Sequence, residues 1–471
     1  MRILFSEFSF GAVQGNKWFN SGIAALSAYL RREGHEVFLL NYIDGSDESA
    51  YVAGLREIAP DLLAFSTMSF QWETTARLAG IAKGACPGLP VVVGGYHSTF
   101  HTAEVMACPH VDFACRGEGE EPLLDLVDAL EGRRGLDPRT IASLWCRRPD
   151  GAIVQNPTRP PFPDLDRLPY WDRDLWDYRS LMKERGRACF YFETDVMALT
   201  AARGCPYTCT YCSNESYLRL YRGLGRFPRV RSVSNVIEEL RYLRSRYDVG
   251  KFEFWDEIFG TNPRWMAEFS AAYRSGLAGV PYGILLRIEQ TRNDTFMRQL
   301  AESGCSTVSM GIEHGDEAFR KKHLGRNMSN EEIVSAFRKC RDLGIETTSY
   351  NMLGLPFETP ELMRATLEFN RVVEPDNIQI FIFQPFPGTK LYDVCRENGW
   401  IPDRAAKPYW FLQADKAIRQ PTYSPEDVIA VHDEWARLKA DLIGKSEARR
   451  RARGFAGPPA EPRSGFEHAI L

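Results

Sequence analysis

The sequence predicts an α/β protein in two parts, a doubly wound domain followed by a partial parallel barrel, with a small helical C-terminal region. Three observations carry this. Strand-like and helix-like runs alternate along most of the chain, the central strand-like runs are continuously apolar as buried parallel strands are, and a proline-rich passage from Pro157 to Pro169 interrupts the alternation. At 471 residues the chain exceeds one ordinary domain.

Residues 1–135 form the first series. Arg2–Phe8 reads as a strand and Ser21–Arg32 as a helix, its Ile23, Leu26 and Leu30 recurring at helical spacing. Gly34 ends that helix, and His35–Tyr42, Leu62–Met68, Pro90–Gly95 and Val111–Cys115 supply four more strands. Such sheets bind ligands beyond the carboxyl ends of their strands, here Ser9–Ser21, Ser66–Trp72, Gly94–Phe100 and Arg116–Glu121. Residues 136–195 read as a linker with two short strand-like runs, Ala142–Cys146 and Ile153–Gln155. Residues 196–400 carry six strand candidates: Val196–Ala202, Phe252–Trp255, Tyr282–Arg287, Ser306–Ile312, Thr347–Leu353 and Ile378–Phe383. With helical stretches between them they suggest a partial (β/α)6 barrel, whose chemistry lies at the carboxyl ends of its strands. Residues 401–471 hold an aromatic loop, a helix over 425–443 and an arginine cluster, Arg449 to Arg453, expected to be a solvated helix end running into a disordered tail.

Composition sets the class. A hydrophobic share of 44%, a charged share of 25% and a net charge of −4 describe a soluble globular protein with no overall pull toward nucleic acid or a membrane surface. Glu7 breaks the first apolar run, and no later run approaches the ~20 residues of a membrane span, so a cytoplasmic protein is expected. Eight of the eleven cysteines are scattered singly and read as small buried apolar residues.

Cys205, Cys209 and Cys212 are different. They sit in the loop Arg203-Gly204-Cys205-Pro206-Tyr207-Thr208-Cys209-Thr210-Tyr211-Cys212, directly after the first barrel strand. Closely spaced thiolates can wrap an iron–sulfur cluster, and three ligands leave one iron of a four-iron cubane open. A structural zinc site would want a fourth ligand, and His110 and His314 are each about a hundred residues away. A disulfide would need an oxidising compartment.

With Tyr211 before the last cysteine, this loop resembles the CxxxCxΦC signature of the radical S-adenosylmethionine (SAM) superfamily. The resemblance implies that Cys205, Cys209 and Cys212 hold a 4Fe–4S cluster whose open iron chelates SAM, and that one electron then releases a 5′-deoxyadenosyl radical. Further stretches match the branch with an N-terminal cobalamin-binding domain. Trp255-Asp256-Glu257 resembles an acidic motif after the second strand, which would accept hydrogen bonds from the methionine ammonium; an ordinary strand-end turn is the alternative. Gly311-Ile312-Glu313 resembles a motif on the fourth strand, where a cationic ligand would relieve a buried carboxylate. Arg287 ends the third strand and either pairs the methionine carboxylate or bridges to a neighbouring acid. Gly354-Leu355-Pro356 resembles the stretch that passes the adenine, and Pro387-Gly388-Thr389 a turn after the sixth strand.

The resemblance makes residues 1–135 a Rossmann-like cobalamin-binding domain. Ser66 and Thr67, Gly94 and Gly95, and Glu118 fall in its matching stretches, where glycines would let backbone approach the corrin. The Asp-x-His-x-x-Gly motif that supplies histidine to cobalt is absent, and His97 reads as a packing residue. Cobalamin beside a 5′-deoxyadenosyl radical suits methylation of an unactivated sp³ carbon in a small-molecule substrate. The alternatives are dehydration, epimerisation, ring rearrangement or cyclisation, with or without cobalamin, and more remotely a zinc-binding protein. An external electron donor of the flavodoxin or ferredoxin type is implied, with no nucleic-acid or membrane partner.

Overall fold

A computed structural model describes residues 1–9, 19–43, 48–176, 178, 195–401 and 417–452. Two compact units divide it: residues 1–194 with Tyr217–Phe227, and residues 195–216 with Pro228–Leu471.

The first unit is the doubly wound sheet. Five parallel strands, β1 (Arg2–Ser9), β2 (Glu36–Ile43), β3 (Leu62–Ser66), β4 (Val91–Gly94) and β5 (Phe113–Cys115), lie in the order β2-β1-β3-β4-β5. Their Leu4, Leu63, Phe65, Val91, Val93 and Ala114 are buried against Leu78, Ala79 and Ala82 of a covering helix, which is why these runs are apolar throughout. The helix Ser21–Arg32 starts where the sequence places it, because the Asn20 side chain accepts the Ile23 N–H at 3.0 Å. The stretch expected as a linker does more than connect. Its strands β6 (Leu144–Arg147) and β7 (Ile153–Gln155) extend the same sheet antiparallel beyond β5. The Arg147 guanidinium ties that edge down through the carbonyls of Val111 at 3.1 Å and Cys108 at 2.9 Å.

The second unit is the partial barrel. Its six parallel strands, in order, are β8 (Val196–Leu199), β11 (Lys251–Phe254), β12 (Tyr282–Leu286), β13 (Cys305–Glu313), β14 (Glu346–Leu353) and β15 (Asn377–Ile382); β9 (Ala202–Arg203) and β10 (Arg229–Val230) form a separate two-residue pair. Since all six run the same way, their carboxyl ends share one edge. The C-terminal helix runs Pro425–Ala452, longer than expected. Its Val428, Val431, Trp435, Leu438 and Leu442 lie in one core with Ile378, Ile380 and Ile382 of β15. Two arginines of its last turns pair with the barrel while Arg451 stays exposed: Arg449 meets Asp376 and Arg450 meets Glu346, both at 3.0 Å, because those carboxylates sit at the amino ends of β15 and β14. Arg453, the tail, Cys189 and the aromatic stretch at 409–411 lie outside the described residues. Among the described residues no helix is long and apolar enough to cross a membrane.

Candidate active site

The cysteine loop leaves β8 under the grip of two carboxylates. Asp256 Oδ2 accepts the Ala201 N–H at 2.9 Å, and Glu257 Oε2 accepts the Gly204 N–H at 3.1 Å. Gly204 takes φ +91°, a conformation glycine adopts without steric cost, and so turns the chain into Cys205. Farther along, the Thr210 N–H donates to the Leu324 carbonyl at 3.2 Å and its hydroxyl to the His323 carbonyl at 2.6 Å. Cys205 and Cys209 are buried, Cys212 is half-buried, and all three are free thiols. Burial pushes the Cys205 thiol up to about 12 and raises that of Cys212, so a bound metal must displace their protons.

A single ion and a cluster ask for different thiol spacings. Thiolates sharing one tetrahedral ion lie about 3.8 Å apart. Among the described residues, the only three side chains with ligand atoms all within 4.8 Å of one another are His35, Asp128 and Glu131. The three cysteines are not gathered as a ready single-ion site, and three thiolates in one loop suit a cubane with an open corner. The His35 group is already filled by cations: the Met1 amine reaches Glu131 at 2.8 Å and Arg134 reaches Asp128 at 3.0 Å.

Cys209 lies between two buried guanidiniums. Arg287, at the end of β12, donates to its sulfur at 2.9 Å, holds Glu289 with two contacts at 2.7 and 3.0 Å, and stacks 4.0 Å from the Tyr207 ring centroid. The neighbouring acid that the sequence offered as one partner for Arg287 is Glu289. Arg326 approaches the same sulfur at 3.9 Å, the Tyr211 hydroxyl at 3.2 Å, Glu313 at 3.6 Å and the Gly311 carbonyl. Sequence reasoning missed Arg326, which looks like one more cation in the basic run Arg320-Lys321-Lys322-His323-Leu324-Gly325-Arg326. Burial pushes the Tyr211 hydroxyl well above its ordinary range.

The carboxyl edge gathers the other expected residues of this unit. Asp256 is buried, its Oδ1 has no partner, and burial pushes its carboxyl up to about 8. That is the unpaired acceptor an ammonium would satisfy. Glu313 ends β13 at φ +70°, beside a register shift in the sheet, so its carboxylate leaves the strand toward Arg326. The room it needs exists because residue 311 is glycine: a side chain there would collide with the Glu313 carboxylate. Gly354 takes φ +75°, and its carbonyl accepts the Tyr423 hydroxyl at 2.6 Å. Behind it, the fully buried His314 and Glu358 face each other at 3.3 Å, so His314 is engaged far from the thiols in role. Cys305 starts β13, eight extended residues or about 26 Å from Glu313 at its other end.

In the first unit, Ser66, Thr67, Gly94, Gly95 and Glu118 also meet at carboxyl strand ends, those of β3, β4 and β5. Gly95 takes φ +88°, and a Cβ there would come 2.6 Å from the Thr67 nitrogen, so this glycine serves the approach of two protein loops. Gly117 likewise clears room for the Tyr221 hydroxyl, which accepts the Glu118 N–H at 2.8 Å, while the Glu118 carboxylate accepts the Phe162 N–H at 2.7 Å. His97 is fully buried and stacked between Trp72 and His101, with centroids at 5.1 and 4.9 Å. Half-exposed Ser66 and the exposed Met68 present small and apolar surface at this edge, which fits a corrin ring. Glu7, on β1, was missed: it is buried, with one carboxyl oxygen unpartnered.

Comparison with known proteins agrees with this geometry. Residues 199–369 match the radical SAM superfamily and residues 10–127 the B12 binding domain. The chain is 28% identical over 401 residues to the anaerobic magnesium-protoporphyrin IX monomethyl ester cyclase of Rubrivivax gelatinosus, covering 83% of this chain and 69% of that one. It is 28% identical over 385 residues to an uncharacterized methyltransferase of Pyrococcus horikoshii, covering 81% and 79%. Its fold is that of the radical SAM methyltransferase TsrM from Kitasatospora setae, solved with cobalamin and a [4Fe-4S] cluster, at a TM-score of 0.63, 18% identity and coverage of 86% and 81%. Its cofactors are accordingly a 4Fe–4S cluster, S-adenosylmethionine and cobalamin. The chain belongs to the radical SAM superfamily, in the branch that carries a B12-binding domain ahead of the barrel.

Proposed function

We propose that this enzyme methylates an unactivated sp³ carbon of a small-molecule biosynthetic intermediate. The observation that carries the reading is the presence, in one chain, of a three-thiol loop at the barrel edge and a B12-binding unit. When bound, the cluster supplies the electron that cleaves SAM and cobalamin supplies a transferable methyl group.

The chain's own residues bind and orient. Cys205, Cys209 and Cys212 take three irons, and Arg287 places a cation on the Cys209 sulfur. Asp256, with its unpartnered oxygen, and Glu313 offer acceptors to the methionine ammonium, with Glu257 fixing the loop beside them. Tyr211 and Arg326 hold Glu313 in place, and the Gly354 turn borders the nucleoside. Ser66, Thr67, Gly94, Gly95 and Glu118 shape the cobalamin edge. The electron comes from an external carrier of the flavodoxin or ferredoxin type, and the free thiols suit a reducing cytoplasm.

Anaerobic reconstitution with iron, sulfide and cobalamin, followed by mass spectrometry of the SAM products, tests this. Methylation yields S-adenosylhomocysteine and 5′-deoxyadenosine in comparable amounts per methylated product. 5′-Deoxyadenosine without S-adenosylhomocysteine would end the methylation reading. It would favour ring closure, the reaction class of the Rubrivivax relative.

A further inference from the structure

The turn that carries Lys321, Lys322 and His323 has no part in the site described above, yet it lies directly on the cysteine loop. The carbonyls of His323 and Leu324 take both hydrogen bonds of Thr210, the residue after Cys209. A Cβ at Gly325 would stand 3.5 Å from the Thr208 carbonyl, on the other side of Cys209. Gly325 and Thr208 are both exposed, so only a thin layer of backbone separates solvent from a cluster-ligand loop.

Charge marks the same spot. Lys83, Lys251, Lys339, Lys390 and Lys445 each face a carboxylate, and Lys439 lies over the Trp435 ring. Among the described lysines, only the exposed Lys321 and Lys322 have neither kind of partner. Beside them stands an apolar ring: Phe357 is 41% exposed and lies tilted against the His323 ring, centroids 4.9 Å apart. Its backbone takes φ +69°, which a phenylalanine adopts only under constraint, here with the Gln420 side chain accepting its N–H at 2.7 Å. Unpaired cations around a held aromatic anchor are the composition of a protein-docking patch rather than of a solvated turn.

We propose that Lys321, Lys322 and Phe357 form the landing site of an acidic one-electron carrier protein that reduces the cluster. The step moves one electron from the reduced carrier to the oxidised cluster, with no bond made or broken. This rests on the reading of Cys205, Cys209 and Cys212 as cluster ligands, and the test separates the two.

The cluster-loaded full chain and its K321E/K322E variant are compared for 5′-deoxyadenosine formation, driven by a bacterial flavodoxin with its NADPH-dependent reductase, by an acidic ferredoxin, or by dithionite. The expected result is at least a tenfold rise in the carrier concentration needed for half-maximal rate, with the dithionite rate within twofold of wild type. A zero-length carbodiimide cross-link from Lys321 or Lys322 to carrier carboxylates is expected in wild type. An unchanged half-saturating concentration overturns the proposal, and so does a wild-type enzyme that works with dithionite but takes electrons from neither carrier. If the iron-loaded wild type forms no 5′-deoxyadenosine even with dithionite, the radical SAM reading falls first and the docking site with it.

Discussion

Replacing Glu7 by glutamine changes one oxygen for a nitrogen and removes a titration from the middle of the first sheet. The Glu7 side chain is 4% exposed on β1, one carboxyl oxygen is unpartnered, and the side chains of Asn20 and Trp176 reach the group. Burial outweighs those hydrogen bonds and pushes the carboxyl from its ordinary 4.5 up to about 8. Because the folded-state value is raised, the folded chain holds a proton that the unfolded chain releases above about pH 4.5. The stabilisation linked to that proton is complete below pH 4.5 and is lost as pH rises toward 8. One pH unit of such linkage corresponds to about 1.36 kcal/mol. Since the unfolded group is still partly protonated at pH 5 and the folded one only half ionised at pH 8, the stability of wild type should fall relative to Glu7→Gln by about 3–4 kcal/mol between those pH values. Urea unfolding of the cofactor-free chain at pH 5, 6, 7 and 8, followed by tryptophan fluorescence, measures this, since Trp176 lies against Glu7. A difference between the two proteins that stays constant with pH would refute the argument that Glu7 is folded in as a neutral acid.

Gly95→Ala should destabilise the first unit by about 2–4 kcal/mol, because it combines φ +88° with a Cβ 2.6 Å from the Thr67 nitrogen; urea unfolding and cobalamin titration report the loss, and wild-type behaviour in both would contradict the packing described. Arg287→Met removes a cationic donor from the Cys209 sulfur and should make the cluster harder to reduce by on the order of 60 mV, equivalent to about tenfold for one electron. An EPR-monitored redox titration reads this shift directly. Cys212→Ala should drop iron and sulfide from about four of each per chain to less than one and abolish the absorption near 400 nm; iron analysis decides it.

Much of the architecture was legible because burial on both faces writes itself as uninterrupted apolar runs. Val91–Gly94 and Val196–Leu199 have no other reading, and the helix Ser21–Arg32 carries its cap beside it. The sheet's far edge was not legible, because β6 and β7 are short, half-exposed and paired antiparallel, so they look like connector until their partners are known. The cysteines announced themselves by spacing. Their surroundings did not, since Arg326 is separated from Cys209 by more than a hundred residues and its burial depends on the turn at Arg320–Leu324. Glu7 was read only as a break in an apolar run, although a carboxylate inside a strand that is otherwise buried is itself a signal. Arg449 and Arg450 were not legible for the opposite reason: a run of like charges looks solvated, as Arg451 is, until the carboxylates two of its members serve, Asp376 and Glu346, are placed beneath it.

The contact of Tyr221 with Gly117 and Glu118 bears on how such a chain is inherited and built. The loop that follows β5 is completed by a residue more than a hundred positions later, beyond the cysteine loop. A segment cut at residue 135 or at residue 195 would contain the sheet without the Tyr221 contact at this loop. On the ribosome, the loop after β5 gains this partner only once Tyr221 has emerged.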